Sequence, residues 1–374
     1  MASTSWDVLI DLETAEEAYA INRSVPATWF WDRDIYEFDL DAIFARSWHF
    51  AGPLCKLENS GDHIVADAGR IPVVVTRGQD GELRGFVNVC RHRGYAVALC
   101  DGNRSTLQCG YHAWTYDLDG KLRAASRCEG DPEFDKSEIS LVPVAVDTWA
   151  GLVFVNPDPN ASPLRVVYPE LDAVTEQMEI DFAKYRYTGT STYEVDANWK
   201  LWMENATECY HCATVHKGSF GAHYWDAPKK PIAFGEKVIA GLEPYHGRST
   251  LLARHGIEPA SAGQRYIYLW PSFIMGIEDF YAYPSTTIPL GPEKTKFVSH
   301  GFVNDDVATD EFREEWSAMY DQTFKEDVEV VAVQQRGLRS SKVPFGQLSP
   351  VADRMTRQFH RIILDAYQEA MGQS

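Results

Sequence analysis

The chain has 374 residues and a formal net charge of −19 at pH 7, and 45% of its residues are hydrophobic and 13% aromatic. This length allows two domains, and the hydrophobic share excludes a disordered chain. Nucleic acids and anionic membranes both favour clustered Lys and Arg, so we expect neither as a partner. Because there are seven cysteines, an odd number in a chain that is not small, we also expect no disulfide framework.

The sequence gives no sign of a targeting or membrane segment. Residues 1–11 contain neither a basic stretch nor an apolar one, so no signal peptide is predicted. No run of residues approaches the roughly eighteen apolar residues of a membrane-spanning helix. We therefore expect a cytoplasmic protein.

The first half of the chain predicts short strands joined by tight turns. From about residue 48 to 156, β-rich runs alternate with turn signals such as Asp119-Gly120, and the strands are predicted at 71–76, 85–89, 114–116, 121–123 and 151–155. A run at 157–163 with three prolines and three small polar residues predicts a linker.

The second half predicts a mixture of helices and antiparallel strands. The predicted elements are a strand at 191–195, a helix at 198–214, aromatic strands within 265–290, a long helix at 310–336 and a final helix at 351–368. The fold class is therefore predicted to be α+β, with an all-β first part.

Two short motifs predict an iron–sulfur cluster. Cys90-Arg91-His92 and Cys109-Gly110-Tyr111-His112 each supply one thiolate and one imidazole, with sixteen residues between them. This is the ligand set of a Rieske [2Fe–2S] cluster, in which two cysteines hold one iron and two histidines hold the other. A structural zinc site is the alternative, but zinc sites usually pair Cys with Cys and His with His at close spacing.

A second metal site is indicated within the predicted helix at 198–214. His211 and His216 follow Glu208, and two histidines with one carboxylate can hold non-haem Fe(II) while leaving positions open for oxygen and substrate. On a regular helix, however, His216 would point about 140° away from His211. Joint ligation therefore requires a π-bulge or a helix end between the two histidines.

With both motifs in this order, the chain resembles the oxygenase component (α subunit) of the Rieske non-haem iron oxygenases over nearly its whole length. The matching features are the motif spacing, Trp114, the Asp119-Gly120 turn, Asn198-Trp199-Lys200, Glu204-Asn205 and the segment 26–52. The resemblance implies a lead-in at 1–46, a Rieske domain at 47–158 and a catalytic mononuclear-iron domain with a helix-grip-like antiparallel sheet at 159–374.

The resemblance also implies the roles of individual residues. The cluster ligands would be Cys90, His92, Cys109 and His112, and the mononuclear iron would be bound by His211, His216 and a carboxylate on a late helix. Asp327 is the best match for that carboxylate, with Glu326 and Glu329 as rivals. Glu208 falls where the family has the acid that links this iron to the cluster of a neighbouring subunit. Gly110 and Ala113 replace the usual Pro and Gly.

Partners and assembly follow from the same resemblance. O₂ would be the co-substrate, and an NAD(P)H-dependent flavin and iron–sulfur reductase would supply electrons. Cross-subunit electron transfer requires an oligomer, commonly a trimer without a β subunit. An electron carrier or iron–sulfur sensor is the non-enzymatic alternative, but it would have no use for a second metal site.

Most members of the family have Asp at the position of Glu208. A Glu at this position makes the chain resemble the branch of the family that acts on quaternary ammonium compounds such as carnitine and glycine betaine. We therefore expect mono-oxygenation next to the ammonium nitrogen, giving N-demethylation or C–N cleavage. Aromatic residues that would either form a cation–π cage or simply build the sheet core are Tyr224, Trp225, Tyr268, Trp270, Phe273, Phe280, Tyr281 and Tyr283. The alternative is an aromatic compound or aromatic acid that is hydroxylated, dihydroxylated or O-demethylated.

Overall fold

The computed structural model describes residues 10–128, 130–131, 133–221, 230–244, 250–259, 261 and 263–372. The chain forms two compact units, one of residues 44–167 and the other of residues 1–43 together with 168–374. The Rieske domain predicted at 47–158 lies inside the first unit, and its limits stay a prediction.

The first unit contains two antiparallel sheets, which confirms the predicted all-β architecture. Its strands are β1 (His49–Pro53), β2 (Asp62–Ala68), β3 (Ile71–Arg77), β4 (Leu83–Val87), β5 (Gly102–Asn103), β6 (Leu107–Gln108), β7 (Thr115–Tyr116), β8 (Leu122–Ala124), β9 (Pro143–Trp149) and β10 (Leu152–Asn156). One sheet has the order β1-β10-β9-β4-β3-β2-β5, and the other has the order β6-β7-β8.

Strand β3 shows why this sequence folds as a sheet. Its central residues Val73, Val74 and Val75 are fully buried, and β-branched side chains pack well on a pleated surface. The predicted turn between β7 and β8 forms with Gly120 at φ +86°, a conformation that favours glycine. A Cβ atom at that position would also collide with the ring of Phe86.

The second unit is built on one antiparallel sheet of seven strands in the order β11-β17-β16-β15-β14-β13-β12. These strands are β11 (Arg186–Val195), β12 (Lys230–Phe234), β13 (Val238–Pro244), β14 (Gly263–Leu269), β15 (Phe273–Ile277), β16 (Tyr281–Gly291) and β17 (Lys294–Val303). The predicted antiparallel sheet with accompanying helices is therefore confirmed.

Nine α-helices lie in the described residues: α1 (Leu12–Ala20), α2 (Arg33–Phe38), α3 (Leu164–Val167), α4 (Leu171–Gln177), α5 (Trp199–Thr207), α6 (Cys212–Val215), α7 (Thr250–Arg254), α8 (Asp310–Arg339) and α9 (Arg354–Gly372). Shorter helical turns are Ala27–Phe30, Asp39–Ile43, Phe44–Arg46, Leu54–Lys56, Lys136–Glu138 and Phe182–Lys184. None of the helices in the described part of the chain is long and apolar enough to cross a membrane.

Helix α8 carries a buried stripe that runs its whole length. Thr309 caps its N-terminus by accepting a hydrogen bond from the Phe312 backbone N–H at 3.3 Å. The buried residues recur every three or four positions, as expected for one face of a helix: Phe312, Trp316, Tyr320, Thr323, Asp327, Val331 and Gln335. This spacing places Asp327 on the inner face.

A buried charge pair ties the N-terminal segment to the helices of the second unit. Asp39 and Lys200 are both fully buried and form an ion pair. Asp39 also accepts hydrogen bonds from the Trp199 indole N–H at 2.9 Å and from the Tyr367 hydroxyl at 2.5 Å. The Asn198-Trp199-Lys200 motif thus anchors α5 to the lead-in and to α9.

Candidate metal centres and substrate cavity

The four predicted cluster ligands converge at the ends of two loops. Cys90 lies in the loop after β4 and Cys109 in the loop after β6, and each is only 2% exposed. The rings of His92 and His112 have their centroids 4.6 Å apart. His92 is exposed and His112 is half-buried. Two buried thiols beside two outer imidazoles fit a Rieske cluster whose histidine side faces outward.

Neighbouring side chains hold this arrangement in place. The Tyr116 hydroxyl lies 3.3 Å from the Cys90 sulfur and accepts a hydrogen bond from the Arg91 backbone N–H at 2.9 Å. Trp114 stacks on His92 with a centroid distance of 4.9 Å and an interplanar angle of 8°. Burial raises the pKa of Tyr116, and the contact with Cys90 adds to this. The hydroxyl therefore stays protonated and can donate to the sulfur.

The departure from the family pattern at Ala113 has a structural consequence. Ala113 adopts φ +59°, in the left-handed region where a Cβ atom is disfavoured by about 1–2 kcal/mol. Its backbone N–H donates to the Cys109 carbonyl oxygen at 3.1 Å, which closes the turn between Cys109 and Ala113. The turn from Cys109 to Ala113 therefore forms with alanine at a position whose backbone angle favours glycine.

The second predicted site lies where helix α5 ends, and the helix predicted at 198–214 is confirmed only from Trp199 to Thr207. The helix stops at Thr207, and Glu208 has the extended angles φ −125° and ψ 168°. His211 and His216 then flank the one-turn helix α6. The two histidines are thus separated by helix ends, and this is one of the two solutions that their spacing requires.

Local hydrogen bonds explain why the helix breaks. The Glu208 carboxylate accepts hydrogen bonds from the backbone N–H groups of Tyr210 and His211, the latter at 3.2 Å. A side chain that satisfies nearby backbone donors competes with continuation of a helix. Cys209 and Cys212 also pair as a disulfide across this loop, which the expectation of no disulfide framework did not anticipate.

Asp327 lies between the two histidines. Its Oδ1 atom is 3.2 Å from the Nε2 atom of His211 and 3.1 Å from the Nε2 atom of His216. The two imidazole centroids are 5.1 Å apart. The Asn205 amide donates to the same Oδ1 atom at 2.9 Å. Two imidazole nitrogens and one carboxylate that converge in this way fit a 2-His-1-carboxylate iron site.

The rival carboxylates occupy different positions. Glu326 lies 2.7 Å from the Nδ1 atom of His216, on the side of the ring away from Asp327, and accepts a hydrogen bond from the Ser219 hydroxyl at 2.6 Å. Glu329 is exposed. The geometry thus supports Asp327 as the third ligand and makes Glu326 a partner of a ligand, a role that the sequence did not predict.

The electrostatics of the site fit a bound cation. Burial lowers the pKa of His211, but its hydrogen bonds to Asp327 and Glu208 outweigh burial and raise this pKa to about 10. Burial raises the pKa of Asp327, yet the bonds to His211 and His216 bring it down to about 2. The carboxylates of Asp327 and Glu208 thus favour a positive charge beside them, and a divalent metal bound to neutral imidazoles would supply that charge.

A cavity that is partly open to solvent adjoins these residues. Three carboxylates and several aromatic rings border it, and its described lining has no Lys or Arg. The lining is Trp202, Asn205, Ala206, Glu208, Cys209, His211, Cys212, His216, Phe220, Glu243, Gln264, Tyr266, Tyr268, Ile274, Tyr283, Phe297, Tyr320, Thr323, Phe324 and Asp327.

Only part of the aromatic set predicted for the pocket lies here. Tyr268 and Tyr283 border the cavity. The described lining does not include Trp270, Phe273, Phe280 or Tyr281, and Phe280, for example, packs against Trp316 with a centroid distance of 4.7 Å. Tyr224 and Trp225 lie outside the described residues. Tyr266 and Tyr320 also border the cavity, and the sequence analysis did not predict a role for them in a pocket.

Comparison with known proteins covers both units. A family model for the catalytic domain of the ring hydroxylating alpha subunit matches residues 182–369, and a model for the Rieske [2Fe-2S] domain matches residues 47–140. The carnitine monooxygenase oxygenase subunit of Escherichia coli is 29% identical over 327 residues, which cover 85% of this chain and 84% of that protein. The glycine betaine monooxygenase oxygenase subunit of Pseudomonas aeruginosa is 36% identical over 222 residues, or 58% of this chain and 51% of that protein.

The fold also matches a solved structure. A quaternary ammonium Rieske monooxygenase, described in connection with carnitine oxidation by gut microbiota, superposes with a TM-score of 0.82 and 24% identity. The match covers 94% of this chain and 97% of that one. At this identity the likeness establishes the fold alone.

Proposed function

Because the chain belongs to the ring-hydroxylating α-subunit family of Rieske non-haem iron oxygenases, we propose that it mono-oxygenates a quaternary ammonium compound. The cofactors of the family are a Rieske [2Fe–2S] cluster and a mononuclear iron. The proposed reaction inserts oxygen at a carbon bound to the ammonium nitrogen, which leads to N-demethylation or C–N cleavage.

The observation that carries this proposal is the charge of the cavity beside His211, His216 and Asp327. Its described lining combines carboxylates with aromatic rings and contains no Lys or Arg. Aromatic faces attract quaternary ammonium groups by roughly 0.5–2 kcal/mol per contact. An aromatic acid would bring a negative charge to a cavity whose described lining already includes three carboxylates, so this alternative is disfavoured. Relatives named for carnitine and glycine betaine support the same choice.

The proposed roles of the site residues follow their positions. Cys90, His92, Cys109 and His112 would hold the cluster, and His211, His216 and Asp327 would hold the mononuclear iron. When bound, the cluster supplies single electrons and the iron, with open coordination positions, activates O₂. Asn205 would fix the orientation of Asp327, because its amide donates to the Asp327 carboxylate. Glu326 would fix the orientation of His216, because its carboxylate accepts from the Nδ1 atom of that ring.

Glu208 is proposed to link the two metal centres across a subunit boundary. Its carboxylate contacts the Nδ1 atom of His211, and its side chain is 15% exposed, so one end touches a proposed ligand while the residue stays near the surface. This role requires an oligomer, for which we propose a trimer. The proposed electron donor is an NAD(P)H-dependent flavin and iron–sulfur reductase.

The function is tested by NADH-driven turnover of iron-loaded protein with a reductase of that type. Choline, carnitine, glycine betaine and a set of aromatic acids and neutral aromatic compounds are offered, and incorporation of oxygen from labelled O₂ is read by mass spectrometry. We expect product from a quaternary ammonium compound. Product from the aromatic compounds alone would replace the proposal with the aromatic alternative.

The bridging role is tested separately with Glu208→Gln. We expect an unchanged Rieske absorption spectrum but loss of the coupling between cluster oxidation and product formation in single-turnover experiments. The matched control is Glu204→Gln, because the Glu204 carboxylate lies 2.5 Å from the Nε2 atom of His360 instead of contacting a proposed ligand. Normal coupling in the Glu208 variant would remove Glu208 from the electron path.

A further inference from the structure

Two cysteines flank a proposed iron ligand in the sequence, and the metal site described above gives them no role. Cys209 and Cys212 stand on either side of His211 and are joined by a disulfide. Cys212 is only 3% exposed, whereas Cys209 is partly exposed. Both residues border the cavity, which is partly open to solvent. A pair of sulfur atoms that can be oxidised or reduced thus lies beside the proposed iron site.

The Cys212 sulfur is close enough to both histidines to share a metal ion with them. It lies 3.9 Å from the Nε2 atom of His211. This sulfur and one ring nitrogen each of His211 and His216 all lie within 4.8 Å of one another. In a tetrahedral zinc site, with bonds of about 2.3 Å to sulfur and about 2.0 Å to nitrogen, neighbouring ligand atoms are roughly 3.5 Å apart. The three side chains therefore need only small shifts to bind one ion.

The disulfide decides whether this sulfur can act as a ligand. The thiolate is the form of cysteine that binds metals, and a sulfur in a disulfide carries no negative charge. With the disulfide intact, the donors are the two imidazoles and the Asp327 carboxylate, a set that suits Fe(II). With the disulfide reduced, Cys212 adds a soft thiolate, and imidazole with thiolate suits Zn(II). The same place in the fold thus offers two different donor sets.

Asp327 would complete a closed zinc site. Its Oδ1 atom is 3.2 Å from the Nε2 atom of His211 and 3.1 Å from that of His216. With the Cys212 sulfur, these atoms make the four protein ligands that zinc takes in a closed site. The thiolate would fill a position that must stay open at the iron, and zinc has no redox chemistry of its own. A site loaded with zinc in this way would therefore be inactive.

We propose that His211, Cys212, His216 and Asp327 form a zinc-binding site when the disulfide is reduced, and that the bond to Cys209 keeps the site selective for iron. The inference shares three residues with the proposed iron site, but it is independent of the substrate that the enzyme oxidises. The disulfide then has a function that the odd number of cysteines could not suggest: it withholds a competing ligand.

Reduction by a dithiol begins at the more exposed sulfur, that of Cys209. One thiol of the reductant bonds to this sulfur, and the bond to Cys212 breaks. The second thiol of the reductant then displaces Cys209, and the reductant leaves as a disulfide. The two protons of the reductant remain on the two cysteines, and Cys212 releases its proton to solvent when it binds the metal.

The test measures which metal the protein takes up before and after reduction. Protein that keeps its cluster is incubated without oxygen with equal amounts of Fe(II) and Zn(II), with or without tris(2-carboxyethyl)phosphine, and free metal is removed by gel filtration. Bound metals are counted by mass spectrometry, alkylation counts the free thiols, and the Rieske absorption reports the cluster. Reduction should raise the ratio of zinc to mononuclear iron at least about 10-fold, because a thiolate favours zinc. X-ray absorption at the zinc edge should show one sulfur per zinc at about 2.3 Å.

The two cysteines give opposite predictions. Cys209→Ser leaves Cys212 as a permanent thiol, so this variant should prefer zinc without any reductant. Cys212→Ser removes the sulfur ligand, so its metal preference should match that of the oxidised wild-type protein with or without reductant. Cys55→Ser is the matched control, because Cys55 is a free, exposed cysteine, and this variant should respond to the reductant as the wild-type protein does. The comparison of the wild-type protein with and without reductant does not depend on the folding of any variant.

Three outcomes would refute the proposal. One is a metal preference that reduction leaves unchanged, and another is bound zinc without a sulfur neighbour. The third is two sulfurs per zinc together with loss of the zinc preference in Cys209→Ser, which would move the site to Cys209, Cys212 and Glu243, whose ligand atoms also lie within 4.8 Å of one another. None of these outcomes affects the proposed function, which fails only if the oxidised, iron-loaded protein oxidises no quaternary ammonium compound.

Discussion

Replacement of Glu326 by Gln is expected to weaken binding of the mononuclear iron without affecting the cluster. The Glu326 carboxylate lies 2.7 Å from the Nδ1 atom of His216, and Nδ1 must carry the proton when Nε2 binds a metal. The acceptor therefore fixes the tautomer and the ring orientation of a proposed ligand. An amide at this position can still accept a hydrogen bond, but it removes the negative charge that makes the imidazole a stronger ligand.

The size of the effect follows from the burial of His216, which is 1% exposed. A hydrogen bond to a charged group contributes about 1.5–3 kcal/mol, whereas a neutral one contributes about 0.5–1.5 kcal/mol. The difference of about 1–2 kcal/mol predicts a loss of iron affinity of roughly 10-fold, and partners of metal-bound histidines generally account for 10- to 100-fold. Ser219 donates to the same carboxylate and keeps the glutamine in place.

The assay is a titration of Fe(II) into protein that keeps its cluster, with the Rieske absorption as an internal standard for the amount of folded protein. Glu329→Gln is the matched control, because Glu329 is an exposed acid on the same helix. We expect the control to bind iron as the wild-type protein does. Equal affinities for wild type and Glu326→Gln would refute the role of Glu326, and complete loss of iron would indicate that Glu326 is itself a ligand.

Three further predictions concern the metal site, acid stability and the buried charge pair. Asp327→Ala should lower the metal content from three irons per chain to two while both labile sulfides remain; retention of three would move the third ligand to another carboxylate. Burial lowers the pKa of His49 to about 4, although its ring donates to the Phe44 carbonyl oxygen at 2.7 Å. The unfolded chain therefore binds a proton at His49 that the folded protein does not bind, and the free energy of unfolding decreases as the pH is lowered from about 6.5 to about 4. At pH 5 the decrease is about 2 kcal/mol. His49→Gln should flatten the pH dependence of urea denaturation over that range, and an unchanged profile would contradict this. Lys200→Met should lower the free energy of unfolding by about 3–5 kcal/mol because it leaves the Asp39 carboxylate buried without its cation, and adding Asp39→Asn should restore part of that loss.

The cluster motifs illustrate what a sequence can predict well. Each motif brings its cysteine and histidine together within three or four residues, and the loops need only meet once for all four side chains to converge. The structure brings Cys90, His92, Cys109 and His112 together in this way. Ala113 also forms the turn in spite of its positive φ, because neighbouring contacts determine the loop.

The mononuclear site was harder to predict because its geometry depends on where helices end. Helical spacing alone could not show that Glu208 would cap the following turn and stop helix α5 at Thr207. On helix α8, the apolar pattern in the sequence does not decide between neighbouring acids. Asp327 continues the stripe of Tyr320 and Thr323, and only this register separates it from Glu326.

The lining of the cavity is the part of the site that the sequence predicts least well, because its residues come from helices and strands that are distant in the chain. Glu243 ends an apolar run in strand β13, and an acid in that position reads as the point where a strand meets solvent. The pairing of β13 with β14 instead sets it opposite Gln264, in the interior of the sheet. Its charge then faces a cavity without a described Lys or Arg. The set of residues that border the cavity therefore depends on strand register, and a local motif in the sequence around Glu243 does not predict it.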